Sequence, residues 1–143
     1  MLVRLLYASR AATSVDPDEV NAILKQSKAW NAAEGITGVL CFCFTSGIFM
    51  QVLEGGRGPV NRLYHRIARD PRHSGVELLS YEEIGERSFA GWTMGQVNMN
   101  RLNPALLLRF SESARLDPFT TSGHASRALF QELVATASVV GPG

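Results

Sequence analysis

The sequence predicts an α+β domain: a mixed five-stranded sheet in the order β-α-β-β-α-β-β, with two helices on one face and two more after the sheet. Three observations predict it. Apolar or alternating runs recur at residues 2–9, 36–44, 48–54, 76–81 and 89–97. Two stretches with helical apolar spacing fall after the first and third runs. Caps and breakers stand at the boundaries of these stretches.

Each element has its own signal. Residues 2–9 read as the first strand. Asp16-Pro17-Asp18-Glu19 then opens a helix, with Asp16 as N-cap, Pro17 at the first position and Glu19 closing a capping box. Val20, Ile23, Leu24 and Ser27 share one face, and after Ala33-Glu34 the helix ends at Gly35 as a left-handed cap. Ile36 to Phe44 is the second strand, Thr45-Ser46-Gly47 a hairpin turn, and Ile48 to Glu54 the third strand. Gly55-Gly56-Arg57-Gly58-Pro59 leads into a second helix with Pro59 at its first position. Its stripe is Val60, Leu63, Tyr64 and Ile67, and Pro71 stops it after Asp70. Val76 to Tyr81 and Phe89 to Val97 complete the sheet.

This order is a ferredoxin-like split βαβ unit with an extra strand, both helices on one face. The other face needs cover. Pro104 to Arg115, with Leu106, Leu107, Leu108 and Phe110, and His124 to Val139, with Leu129, Phe130, Leu133 and Val134, read as two amphipathic helices that supply it. Asp117-Pro118 and Thr120-Thr121-Ser122-Gly123 break them apart, and Gly141-Pro142-Gly143 is expected to fray. The division is a sheet domain at 1–100 and a helical extension at 101–143.

Composition narrows the class. At 143 residues, 45% apolar and 19% charged, the chain can bury a core and is not of disordered type. A net charge of +1 offers no basis for a nucleic-acid or membrane surface built on bulk charge. No apolar run reaches the roughly 18 residues of a membrane span. The apolar start is too short for a secretory signal, so a cytoplasmic location is expected. Cys41 and Cys43 point to one face of a strand and are badly placed for a mutual disulfide; they read as small buried hydrophobes.

Gln51 stands inside the apolar run Ile48-Phe49-Met50-Gln51-Val52-Leu53. A buried amide carries donors and acceptors on both sides, and each one left unmade costs about 1–3 kcal/mol. Gln51 therefore meets either polar protein groups or a ligand. A flat heteroaromatic with carbonyls and ring nitrogens is a natural partner. Conventional catalytic signals are missing: His65, His73 and His124 are scattered, and there is no nucleophile elbow, P-loop or dinucleotide fingerprint. Gly55-Gly56-Arg57-Gly58 lacks the Lys and Ser/Thr of a phosphate loop and reads as a turn. By alternation Leu5, Tyr7 and Ser9 share a face, as do Phe49, Gln51 and Leu53, and as do Trp92, Met94 and Gln96. With Asn31 at the end of the first helix, a Tyr, a Gln and an Asn would form a polar centre in an apolar groove, the pattern of a cofactor pocket.

Five segments in this order and spacing carry a family resemblance. They are Leu6-Tyr7-Ala8-Ser9, Asn31-Ala32-Ala33-Glu34-Gly35-Ile36-Thr37-Gly38-Val39-Leu40, Phe49-Met50-Gln51-Val52-Leu53-Glu54-Gly55, Asp70-Pro71-Arg72-His73 and Phe89-Ala90-Gly91-Trp92-Thr93-Met94. Over roughly residues 2 to 97 the chain resembles the BLUF domain, a blue-light sensor that uses FAD. The resemblance implies a non-covalently bound flavin, FAD with FMN as the alternative. It implies that Tyr7 gives an electron and a proton to the excited flavin, and that Gln51 bridges Tyr7 to the flavin N5 and C4=O. Asn31 would bond the C4=O and N3–H edge, and Trp92 or Met94 would lie beside Gln51. Ser9, Ile23, Ser27 and Phe49 would line the ring, with Arg66, Arg72 and His73 around the ribityl phosphates and adenine. Rotation or tautomerisation of Gln51 would then red-shift the absorption. Trp30 departs from the pattern, because many relatives carry a polar residue there.

About forty residues follow the sheet, too few for an attached enzyme domain, so the expectation is a sensor rather than an enzyme. Its output would pass through the fifth strand and tail to a partner protein, such as a cyclic-dinucleotide enzyme or transcription regulator, or through self-association into a homo-oligomer. Two other readings use the same scaffold. One is an acylphosphatase-like hydrolase, with Arg10 in an anion loop after the first strand. The other is a cofactor-free module that binds a small metabolite. Both predict a colourless protein.

Overall fold

The computed structural model describes residues 1–13, 16–43, 46–98, 103–115 and 117–135. One sheet organises them, with strands β1 (Leu2–Ala11), β2 (Thr37–Cys43), β3 (Ile48–Gly56), β4 (His73–Ile84) and β5 (Gly95–Asn98) in the spatial order β4-β1-β3-β2-β5. β3 is central and antiparallel to both β1 and β2, β4 is antiparallel to β1, and β5 runs parallel to β2. The mixed α+β architecture is the one the sequence predicts. The central place of β3 explains its near-continuous apolar run, because eight of its nine residues are buried.

Helix α1 (Pro17–Glu34) begins as its sequence dictates: the Asp16 carboxylate accepts from the Glu19 amide at 2.9 Å, with Pro17 in the first turn. Gly35 ends it at φ 69°, donating to the Asn31 carbonyl. Helix α2 (Arg57–Arg69) starts two residues before Pro59. A proline in the first turn lacks only an N–H that has no helical partner there, so it does not set the start.

The structure corrects four ranges. β4 extends beyond 76–81 because it pairs with β1 along its length, with two register shifts. At the sheet edge its charged residues Glu77, Glu82 and Glu83 hide the strand pattern. Phe89 to Met94 is not strand but a run of turns, and β5 begins only at Gly95. Helix α3 (Pro104–Leu108) stops well short of Arg115; Ser111 and Ser113, which compete for backbone bonds, follow it. Helix α4 (Gly123–Ala135) begins one residue before His124. Phe44 and Thr45 of the hairpin, the 100/101 division, the α4 end expected at Val139, the side chains of Leu133 and Val134, and Gly141-Pro142-Gly143 lie outside the described residues.

Two apolar layers sandwich the sheet. Val3, Leu5, Tyr7, Leu40, Phe49 and Leu53 pack against Val20 and Leu24 of α1 and Val60, Leu63 and Ile67 of α2. On the other face Leu6, Ala8, Val39, Cys41, Met50 and Val52 pack against Leu107 of α3 and Leu129 and Phe130 of α4. Both cysteines are free and on this second face, and burial pushes the Cys41 thiol far up, as befits an inert filler. Among the described residues no helix is long and apolar enough to cross a membrane.

Candidate functional site

Register builds the floor of the site. Tyr7 of β1 stands directly opposite Gln51 of β3, and Leu40 of β2 flanks Gln51 on the other side. Tyr7 Oη donates to Gln51 Oε1 at 2.5 Å, and both residues are buried. Burial, reinforced by Tyr64 and Asp70, pushes the Tyr7 phenol far above its usual range, so it stays protonated and remains a donor. Gln51 Nε2 donates to Met94 Sδ at 3.2 Å, a weak acceptor.

Asn31 sits in the last turn of α1, 1% exposed, its backbone carbonyl accepting from both Gly35 and Ile36. Its Nδ2 donates to the Thr93 carbonyl at 2.9 Å. Its Oδ1 is buried without a hydrogen-bond partner. Such an orphan costs about 1–3 kcal/mol unless something fills it.

The turn segment that brings Thr93 and Met94 here is pinned at several points. Glu54, fully buried, accepts from the Ser88 amide at 3.0 Å and the Phe89 amide at 2.7 Å, and Gly38 donates to the Trp92 carbonyl at 2.9 Å. Because this segment is not extended, period-two alternation does not apply to it. Trp92 and Met94 do not share a face: Met94 joins the layer under α1 and α2, while Trp92 packs beside Phe89 against the tail layer.

A cleft of about 730 Å³, mouth included, opens over this floor between the two helices. Tyr7, Leu40, Phe49 and Gln51 form its base. Ile23, Gln26, Ser27, Trp30 and Asn31 form the α1 wall, and Leu63, Arg66 and Ile67 the α2 wall. Asp70, Arg72 and His73 close one end. The structure therefore gathers every expected lining residue except Ser9. That residue is fully buried and bonds His73 Nδ1 at 2.7 Å, standing behind the ring rather than in the cleft. Arg72 is tied to Asp70 at 2.6 Å, and this pairing holds the Asp70 carboxyl below its usual range. His73 is shifted below 6.5, mainly by burial.

Gln26, Leu40, Leu63, Ile67 and Asp70 were not foreseen as lining. A signal for Gln26 exists: residues 23, 26, 27, 30 and 31 fall on one helical face, the face that also carries Asn31. Arg10, needed in an anion loop by the hydrolase reading, lies instead within β1, with its guanidinium 4.2 Å from the Phe119 ring centre. Among the described residues no cluster of three potential ligands could hold a metal.

A flavin ring fits these donors. Its edge offers an N–H for the orphaned Asn31 Oδ1 and carbonyls for side-chain amide hydrogens, and its flat faces suit Ile23, Phe49 and Leu63.

The comparisons with known proteins agree. The chain is 35% identical over 94 residues to the photoactivated adenylate cyclase subunit beta of Euglena gracilis, a match covering 65% of this chain and 11% of that protein. The chain thus matches only about a tenth of the length of that relative. Among solved structures it is similar to the photo-activated state of BlsA, at 31% identity and TM-score 0.83, covering 94% of this chain and 95% of that one. It is similar also to the dark state of the BLUF protein BlrB, at 31% identity and TM-score 0.79, covering 95% and 96%. The family model described as BLUF, sensors of blue-light using FAD, matches residues 2–95. With its five-stranded fold and its cleft over Tyr7 and Gln51, the chain belongs to the BLUF family of flavin-binding blue-light sensors.

Proposed function

We propose that this chain is a blue-light photoreceptor that holds FAD non-covalently between α1 and α2 and reports light through the hydrogen bonds of Tyr7 and Gln51. One observation carries the reading: the Tyr7–Gln51 bond lies at the base of a cleft whose wall presents the unpartnered Asn31 Oδ1. When bound, the flavin supplies a coloured ring that becomes a strong one-electron oxidant on excitation. The residues do the rest. Tyr7 is the oxidisable side chain, and its proton at Oη already points along a short bond to Gln51 Oε1. Rotation of the amide, or its imidic tautomer in which Oε1 gains a proton as Nε2 gives one up, would exchange donor and acceptor positions at Gln51. Either change disturbs the Nε2 contact to Met94. Asn31 orients the ring edge, and the apolar walls exclude water.

Residues 1–100 act as the sensor and 101–143 as the output element. The turn segment supports this route, because Met94 lies under the cleft while Trp92 and Phe89 pack on the tail layer. Output then passes to an effector activity, by analogy with the adenylate cyclase that the Euglena relatives are named for.

The test is a visible spectrum of the purified protein, in the dark and just after blue light. A flavin band that shifts red and recovers in the dark is the expected result. A protein that stays colourless after incubation with FAD refutes the reading.

A further inference from the structure

A second cavity lies on the opposite side of the sheet from the cleft, under α4. It measures about 710 Å³, mouth included, against about 730 Å³ for the cleft. Among the described residues, Leu6 of β1, Val52 of β3, Phe89 of the turn segment and Phe130 of α4 line its interior. None of the four is more than 3% exposed, so the hollow is recessed rather than a dent in the surface. Protein interiors pack without gaps of this size, and each wall of a void lacks the dispersion contacts it would otherwise make. At its start α4 cannot settle further onto β4, because the helix backbone at Gly123 already lies so near the Leu79 carbonyl that a Cβ would overlap it.

The rim sets the charge of what can enter. Arg4 and Arg127 both line the cavity, and both are already matched. Arg4 bonds Glu54 through Nε at 2.7 Å, and Glu82 and Ser88 through its two terminal nitrogens at 2.8 Å and 2.7 Å. Arg127 bonds the second Glu82 oxygen at 2.8 Å and lies 3.1 Å from His124 Nδ1. Two guanidinium groups thus face two carboxylates. An anion would have to displace Glu54 or Glu82 from its partner, and a cation would find every carboxylate oxygen of this pair engaged. Either would be a buried charge without its counter-charge, which is costly. Ser80 of β4 and Gln131 of α4, also in the lining, can meet a hydroxyl or carbonyl. We propose that this cavity is a second ligand site, for an uncharged apolar ring compound carrying one neutral polar group. The site stands on the tail-side geometry alone, independent of the flavin reading. Its occupant contacts both Phe89, in the segment that carries Met94, and Phe130 of α4.

The experiment dialyses the full chain to equilibrium against 2-naphthol or 2-naphthoate at neutral pH, in the presence of saturating FAD. The two probes share one bicyclic ring and differ in charge. 2-Naphthol should bind at least about 10-fold more tightly than 2-naphthoate. Ser80→Trp and Gln131→Trp, which plug the cavity from different elements, should each abolish retention of 2-naphthol, with thermal unfolding showing that both variants fold. Leu78→Ser, at an exposed β4 side chain outside the lining, should leave retention unchanged. A wild-type chain that retains no 2-naphthol overturns the site. Retention that survives both plugs, or that is lost in Leu78→Ser, puts the probe elsewhere and overturns it as well. Tighter binding of 2-naphthoate than of 2-naphthol overturns the proposed ligand class.

Discussion

Trp92 and Met94, two residues apart, lie on opposite sides of the sheet: Met94 accepts from Gln51 beneath the cleft, and Trp92 packs with Phe89 on the tail layer. Substitutions at the two sites should therefore separate. Met94→Ala removes a buried side chain, costs about 2–5 kcal/mol, and alters the flavin spectrum in the dark. Trp92→Phe should leave the dark spectrum unchanged. Absorption spectra and urea unfolding of both variants check this; a dark-state shift in Trp92→Phe as large as that in Met94→Ala contradicts it.

The Tyr7–Gln51 bond has consequences for light response and for stability. Gln51→Leu should retain flavin and lose the red shift. Tyr7→Phe should lose it as well, and by leaving Gln51 Oε1 without its donor should cost about 1–3 kcal/mol in urea unfolding. A normal photocycle in either variant sinks the switch.

Arg4 lies at the head of a chain of alternating charges: it bonds Glu54 at 2.7 Å and Glu82 at 2.8 Å, and Arg127 of α4 bonds Glu82 at 2.8 Å. Arg4→Met strands the fully buried Glu54 carboxylate and should cost about 3–5 kcal/mol, while Glu54→Gln, which removes the buried charge and keeps an acceptor for one of the Ser88 and Phe89 amides but sets an NH2 against the other, should cost less. Chemical denaturation of the two variants gives the order.

Gly123 tests how α4 meets the sheet. A Cβ there would overlap the Leu79 carbonyl oxygen of β4. Gly123→Ala should therefore lift the start of α4, with a cost of about 1–3 kcal/mol and faster proteolysis of the tail. Unchanged melting and unchanged cleavage would show that α4 does not pack so closely.

Acid should weaken the fold in two steps. Burial holds His73 below 6.5, opposed by Asp70 and reinforced by Arg72, so the unfolded chain takes up that proton first. Stability then drops as pH falls from 6.5 toward the folded value. Asp70, lowered chiefly by its hydrogen bond from Arg72, adds stability above 3.8 that is lost as pH falls through its folded pKa. The melting temperature should fall between pH 7 and about 5, and His73→Gln should flatten that slope.

Most of this architecture was legible because its signals are local. Asp16, Pro17 and Gly35 delimit α1 by cap chemistry alone. The apolar run around Gln51 marks a strand buried on both faces. The Tyr7–Gln51 pair was legible only through the family resemblance, because periodicity does not fix the register of β1 on β3. What was not legible depends on contacts distant in sequence. The apolar string from Phe89 to Met94 looks like a strand, yet its amides and carbonyls are taken by Glu54 and Gly38 instead of a ladder. Ser9 shares a face with Tyr7, but His73, sixty-four residues away, stands between it and the cleft. Arg66 and Arg72 look alike as cations, and only the structure shows that Arg72 pairs with Asp70 while Arg66 lies over the Trp30 ring.

Gln51 and Glu54 belong to the same central strand, three residues and about 10 Å apart. Gln51 holds the segment from Ser88 to Met94 at one end and Glu54 holds it at the other, through opposite faces of the sheet. The strand thus works as a gauge bar of fixed length. Both grips on the segment are spaced by one unbroken stretch of β3, and Trp92 lies in sequence between them.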